Sequence, residues 1–371
     1  MNQMNMNHMY PTLEEILSTS LEPEQVNDVY ANFPTCNVLH AGNRLRHHDA
    51  NVLEKTLLQN EAHLSARLAL LGFYSLRQYR NQKWADRYAT HYEWLIVHYP
   101  RGYLSYSEAY TLHDDNFKRL RTCWLRLVNL HPRDVFVLGN AAHFCDVYDS
   151  ITSERLWIRA RKADQSVYSQ YNLARLYKRM ISNELSRRDK NLLVKAVSAC
   201  EEISLRFRSC PDEGLASARS IQELLTEIAE LALKFNLVDE AMTCAEHIWD
   251  LKEFFCNEVL YCVPICIWGR VSLSKGKVEQ ARGAIQKLID ENDLNLALCF
   301  DPVSKLANAL LRAEQTDIVI RYVKSYVHDS DVTLRGKTNR FQSPAKVEKR
   351  IRQLRTWLKR AQKGKFSELV L

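Results

Sequence analysis

The stretch "PICIWGRVSLSKGKVEQARGAIQKL", residues 264–288, decides the fold. It reads as an apolar helix, a break at Gly276, and a second helix whose apolar and small residues recur at helical spacing. Small residues stand where buried bulk is usual: Gly269 on the first helix, then Ala281 and Gly283–Ala284 on the second. Small side chains on facing helices let two axes approach closely, so the stretch predicts a helical hairpin crossing at Gly269 and Ala281.

The same pattern continues on both sides without a gap, in "LLTEIAELALKFNLVDEAMTCAEHI" from Leu224 and "PVSKLANALLRAEQTDIVIRYVKSY" from Pro302. A small residue (Ala229, Gly269, Ala307) is followed twelve positions later by Ala241, Ala281 or Val319, and sixteen later by Ala245, Ile285 or Val323. Successive units start 40 and 38 residues apart. Asn236 and Gly276 occupy the turn slot, and both residue types tolerate the left-handed backbone that ends a helix. Glu314 fills that slot in the third unit, which predicts a turn closed in some other way. Asp239 and Asp317 fall near the start of the second helix, where the helix dipole favours an acid.

Looser copies lie upstream. Leu71-Gly72 with Tyr74 leads into "WADRYATHYEWLIVHYP" (84–100), and Leu138-Gly139 is followed by "ERLWIRARKAD" (154–164). Ala174 and Tyr177 begin a further unit whose second helix is "KNLLVKAVSACEEISLRF" (190–207), and "FKRLRTCWLRLVNLHP" (117–132) is another second helix.

This organisation resembles the tetratricopeptide repeat, a helix-turn-helix unit of about 34 residues with a Leu-Gly pair, a Tyr three residues on and a small residue opening the second helix. Arrays with longer units of about 40–47 residues overlap the observed spacing. The resemblance implies an all-α fold: a right-handed superhelical array of antiparallel helix pairs, with about six pairs over residues 49–334. Residues 1–48 are expected to form a flexible tail with a short helix at 12–21, and 335–371 a basic helix and tail.

Composition agrees with long helices, since Gly (10) and Pro (9) each make up only about 2–3% of 371 residues. No apolar run approaches the ~20 residues that span a bilayer. No Lys or Arg precedes Arg44, so a secretory signal is not expected and a cytoplasmic chain is. The ten cysteines are then expected to be reduced thiols, several of them on apolar faces.

The resemblance implies a concave face lined by the first helix of each unit, where a peptide binds. By register, Asn140, Asn172, Arg175, Arg179, Arg270, Lys305, Asn308 and Arg312 are candidates for it. Amides and cations there suit a protein or peptide partner of acidic character. Asn140 and Asn172 resemble the two asparagines of the family's carboxylate clamp, but the clamp's lysine position is Phe136.

Charge divides the molecule. Residues 335–365 carry +11, which leaves the rest of a +7 chain at −4. Val347, Ile351, Leu354 and Leu358 form an apolar stripe, so 343–366 is an amphipathic basic helix. Lys346, Lys349, Arg350, Arg352, Arg355, Lys359 and Arg360 are its candidate binding cations, and nucleic acid through this helix is the alternative partner. The stripe alone would serve to cap the array.

Enzyme signatures are weak. "RGKT" (335–338) ends like a phosphate loop, but Asp331 stands where its first glycine belongs. Cys256, Cys262, Cys266 and His247 lack a Cys-x-x-Cys knuckle. His47-His48-Asp49 reads as a turn or helix cap, and Trp84, Tyr88, Tyr92 and Trp94 as packing. The sequence therefore predicts a non-enzymatic scaffold without metal or cofactor. A helical-repeat subunit of an enzyme complex is the third reading.

Overall fold

The computed structural model describes residues 11–18, 21, 33–102, 114–164, 167–183, 190–209, 218–251, 262–290, 300–335 and 344–369. Among these the chain is all-helical, with no strand. It divides into two compact units, Met1–Gln165 and Ser166–Leu371.

The first unit contains α1 (Leu13–Ser18), α2 (Phe33–Gly42), α3 (His47–Gln59), α4 (Leu64–Ser75), α5 (Gln82–His98), α6 (Asp114–Leu130), α7 (Val135–Cys145) and α8 (Ser150–Ala163). Its core gathers Phe73, Tyr88, Tyr92, Trp124, Phe144 and Trp157, all fully buried. Tyr88 and Tyr92 are thus packing residues, as their spacing predicts. Asp49 accepts a hydrogen bond from the Arg46 backbone N–H at 2.9 Å, so the His47-His48-Asp49 run serves as a helix start.

Helix α2 lies within residues expected to form a flexible tail, yet Val38 and Ala41 are buried. It packs on α4 glycine against glycine. A Cβ on Gly72 would stand 1.9 Å from the Leu39 carbonyl oxygen, and one on Gly42 would stand 2.0 Å from that of Ala69. Gly72 of the Leu71-Gly72 pair therefore serves a contact with α2, two helices earlier in the chain. Helix α1 also docks on α4: Ile16 is fully buried, and His63 Nε2 lies 3.2 Å from the Leu17 carbonyl oxygen.

The second unit contains α9 (Val167–Asn183), α10 (Lys190–Ser209), α11 (Ala218–Lys234), α12 (Val238–Asp250), α13 (Cys262–Ser274), α14 (Val278–Asp290), α15 (Phe300–Arg312), α16 (Thr316–Arg335) and α17 (Pro344–Ala361). The pairs α9/α10, α11/α12 and α13/α14 pack closely, α12 also touches α13, α13 touches α15, and α14 touches α16. The aligned positions Ala229, Gly269, Ala307, Ala241, Ala281, Val319, Ala245, Ile285 and Val323 are all buried, so the register read from the sequence holds.

The turns close alike. Asn236, Gly276 and Glu314 have φ of 58°, 71° and 62°. In each, the next residue's N–H reaches back five positions, Leu237 to Ala232 (2.8 Å), Lys277 to Ser272 (2.8 Å) and Gln315 to Leu310 (2.9 Å). Glu314 thus adopts the geometry of its glycine counterpart, contrary to the sequence expectation, because the paired backbone bonds hold it there. An exposed non-glycine residue in this region carries strain. Glu314→Gly is expected to stabilise the protein by roughly 0.5–1 kcal/mol, read as a higher denaturant midpoint.

The small residues of 264–288 separate by role. Gly269 is buried, and a Cβ there would meet Leu306 methyls at 2.8 Å and Ala284 Cβ at 3.1 Å. On its own hairpin it therefore lies nearest Ala284, where Ala281 was expected, and it also faces the next first helix. Gly283 is exposed, with nothing within 4 Å of a Cβ built on it, so it makes no close approach.

Asp317 lies in the first turn of α16 and forms a bidentate pair with Arg282 of α14, at 2.7 Å for each bond. Hydrogen bonds from the Arg282 guanidinium draw its carboxyl down to about 2. A depressed folded value stabilises above the unfolded value of 3.8 and loses that contribution as pH falls toward 2. The stability gap between wild type and Asp317→Asn should therefore be open at pH 5 and narrow steadily as pH falls through 2, measured by urea unfolding at each pH.

Candidate functional site

The candidates occupy four different environments. Asn140 is buried, and its side-chain amide donates to the carbonyl oxygens of Pro100 (2.9 Å) and Gly102 (3.2 Å). It fastens the segment after α5 and does not line a ligand face. Asn172 is buried too and donates to the Tyr168 carbonyl on its own helix at 2.9 Å. Neither amide is placed for a carboxylate clamp, and the sequence register missed this because a buried and an exposed asparagine read alike. Arg175 is exposed above the Tyr171 ring at 5.7 Å, and Arg179 is half-buried on the same helix.

Arg270 and Lys305 do come together. Both meet Glu230, Arg270 at 2.7 Å and Lys305 at 3.2 Å. Glu230, Arg270 and Asn308 each directly follow the small anchor of their unit, so the ion pair joins equivalent positions of neighbouring units. Lys178 of α9 pairs with Glu227, one turn before Glu230 on α11. These side chains, with Ser182 and Thr226, line an open groove of about 630 Å³ crossing α9, α11, α13 and α15. Glu227 and Glu230 were not among the expected residues, although the 40-residue offset of Glu230 from Arg270 was a readable signal.

Asn308 and Arg312 hold the segment that follows α17. Asn308 Nδ2 donates to the Leu369 carbonyl at 3.2 Å, and the Leu369 N–H donates to Asn308 Oδ1 at 2.7 Å. Arg312 pairs with Glu368. The Leu369 side chain joins the buried cluster that includes Leu306, Leu354 and Trp357, and Trp357 Nε1 donates to the Ser367 carbonyl at 2.7 Å. Lys305, Asn308 and Arg312 fall at i, i+3 and i+7, which places them on one face of α15.

Helix α17 is two-sided. Ile351, Leu354, Trp357 and Ala361 are buried, and Leu358 is half-buried against the same core. Lys349, Arg352, Arg355, Lys359 and Arg360 are exposed, and Arg350 is half-buried. Lys349, Arg352 and Arg360 line a cleft of about 570 Å³ with Thr356, Ser367 and Glu368. The side chains of Lys346 and Val347, and the greater part of "RGKT", lie outside the described residues.

The first unit holds a polar cluster that periodicity does not reveal. Glu54 Oε1 accepts from the Tyr74 hydroxyl at 2.7 Å and lies 3.4 Å from both Arg87 NH1 and His91 Nε2, joining α3, α4 and α5. Arg87 also donates to the Tyr74 oxygen at 2.8 Å. Burial pushes the Glu54 carboxyl up, but His91, Tyr74 and Arg87 together outweigh it and hold the group below its usual value. Burial pushes Tyr74 up to about 12.

Cys145, Cys200, Cys244, Cys262 and Cys266 are buried free thiols. Burial raises Cys145 and Cys244 to about 12, so these sulfurs are protonated and unreactive near neutrality. Cys262 and Cys266 belong to the apolar core, and Cys256 lies outside the described residues. Among the described residues no three His, Cys, Asp or Glu side chains converge as metal ligands, and no helix is long and apolar enough to cross a membrane.

No protein-family model matches this chain. No curated protein matches it either.

Proposed function

We propose that this chain is a non-enzymatic interaction scaffold whose second unit is a tetratricopeptide-like, right-handed superhelical array of helix pairs. It binds an acidic polypeptide across the first-helix face of α9, α11, α13 and α15. Three units of near-constant spacing, closed by one turn geometry and packed pair upon pair, support the architecture. The observation that carries the function is the paired hydrogen bonding of Asn308 to the main chain at Leu369, because a side chain that grips backbone on both sides suits an extended peptide of many sequences. Lys178, Arg270 and Lys305 supply the preference for acid.

A labelled Glu- and Leu-rich decapeptide is the probe, read by fluorescence anisotropy. Lys305→Glu with Arg270→Glu is expected to weaken its binding at least tenfold, while Arg352→Gln with Lys359→Gln leaves it unchanged. The opposite pattern, with a 20-base-pair DNA duplex bound through Arg352 and Lys359, would establish the nucleic-acid reading, which the cationic cleft on α17 favours.

A further inference from the structure

We infer that the Asn308–Arg312 face of α15 is a recognition subsite for an acidic residue followed by an aliphatic one, and that Glu368–Leu369 occupy it in cis as a displaceable stand-in for the ligand. This rests on the first-helix face being a peptide-binding surface and adds the sequence that it selects.

Each element of recognition is in place. Asn308 reads the main chain through both its donor and its acceptor, and Trp357 anchors a second carbonyl at Ser367. Arg312 reads the acidic side chain. The aliphatic side chain is only 5% exposed and belongs to the same buried cluster as Leu306, Leu354 and Trp357.

The occupant is carried on exposed chain. Helix α17 is followed by a turn at Gly364, with φ of 72°, closed by the same five-back bond as the hairpins, and residues 362–368 are exposed. Leu369 is the one buried side chain after Ala361 among the described residues. The Arg312–Glu368 pair is more than half exposed on both sides, so it contributes selectivity more than affinity. A short tether keeps the segment at an effective concentration on the order of millimolar, so a ligand in trans must outcompete it. Because Lys305 shares the α15 face, a longer ligand seated at Asn308 extends toward the cations already described.

The probe is a fluorescent peptide with the sequence of residues 365–371, titrated into the full chain. The doubly substituted chain Glu368→Arg, Leu369→Ser vacates the site and is expected to bind it at least tenfold more tightly than wild type does. Asn308→Ala in that background abolishes binding. Arg312→Glu weakens binding, and the loss is rescued by a probe carrying Lys in place of its Glu. A vacated chain of native helicity that does not bind, or binding indifferent to Asn308 and Arg312, overturns the inference.

Should the double substitution unfold the protein, hydrogen exchange on the wild-type chain decides. Excess unlabelled peptide is expected to accelerate exchange at the Leu369 amide, and unchanged exchange overturns the inference. If that fails while the Glu- and Leu-rich decapeptide still requires Lys305 and Arg270, the scaffold reading stands without the cis occupant. If the decapeptide also fails, both fall.

Discussion

Gly72→Ala is expected to cost about 3 kcal/mol or more, because a single methyl group meets backbone and no side chain can swing away. The added Cβ would stand 1.9 Å from the Leu39 carbonyl oxygen and 3.3 Å from Gly42 Cα. The only relief is to move α2 off α4, which uncovers Val38, Ala41 and the buried face of α4. For a unit of this size the loss corresponds to roughly 6–12 °C in unfolding midpoint. Gly283→Ala is the matched comparison: it adds the same methyl in a helix interior with open space, and should raise stability by roughly 0.5–1 kcal/mol. Calorimetry of the two variants checks both signs, and a neutral Gly72→Ala would refute the backbone contact between α2 and α4.

Leu354→Ala is the second large effect, at about 2–5 kcal/mol. Leu354 is fully buried in a cluster shared by α13, α14, α15, α16 and α17, so its loss leaves a cavity walled by several helices. Arg352→Gln, two residues away on the exposed side, should stay within about 0.5 kcal/mol of wild type. Denaturant titration of the pair separates the two sides of α17. A comparable cost for both would mean that the cations, too, are part of the packing. The same burial means that deleting α17 removes core as well as charge, so substitutions on the exposed side are the cleaner probe of anion binding.

Much of the second unit was legible because its hairpins repeat. Spacing placed the small anchors, the turns and the buried positions of α11 to α16, and the polarity of α17 separated its apolar stripe from its cations. What spacing could not show was the partner of each small residue. Gly72 reads as an anchor for the helix after it, yet it faces α2, whose sequence "FPTCNVLHAG" lacks a polar side and so gives no amphipathic signal. Trp357 was missed in the stripe because it falls between the positions counted at intervals of four, three and four. Asn140 and Asn172 share their residue type and register with a ligand-binding asparagine, and only tertiary structure reveals that their donors are already engaged. The Glu54 cluster draws on three helices, and its bonded partners stand 13 to 37 residues apart, a separation that no local pattern encodes.

Glu230 gives the first-helix face an internal counter-ion. One carboxylate is shared by Arg270 and Lys305 and cancels one of their two charges, so an arriving acidic ligand meets a single net positive charge and liberates few mobile ions from solution. On α17, by contrast, the exposed cations of Lys349 and Arg352 are screened by dissolved electrolyte, whose release would make any anion held there strongly sensitive to ionic strength. The two surfaces therefore carry different electrolyte signatures, and the slope of affinity against ionic strength reports which of them a ligand has chosen.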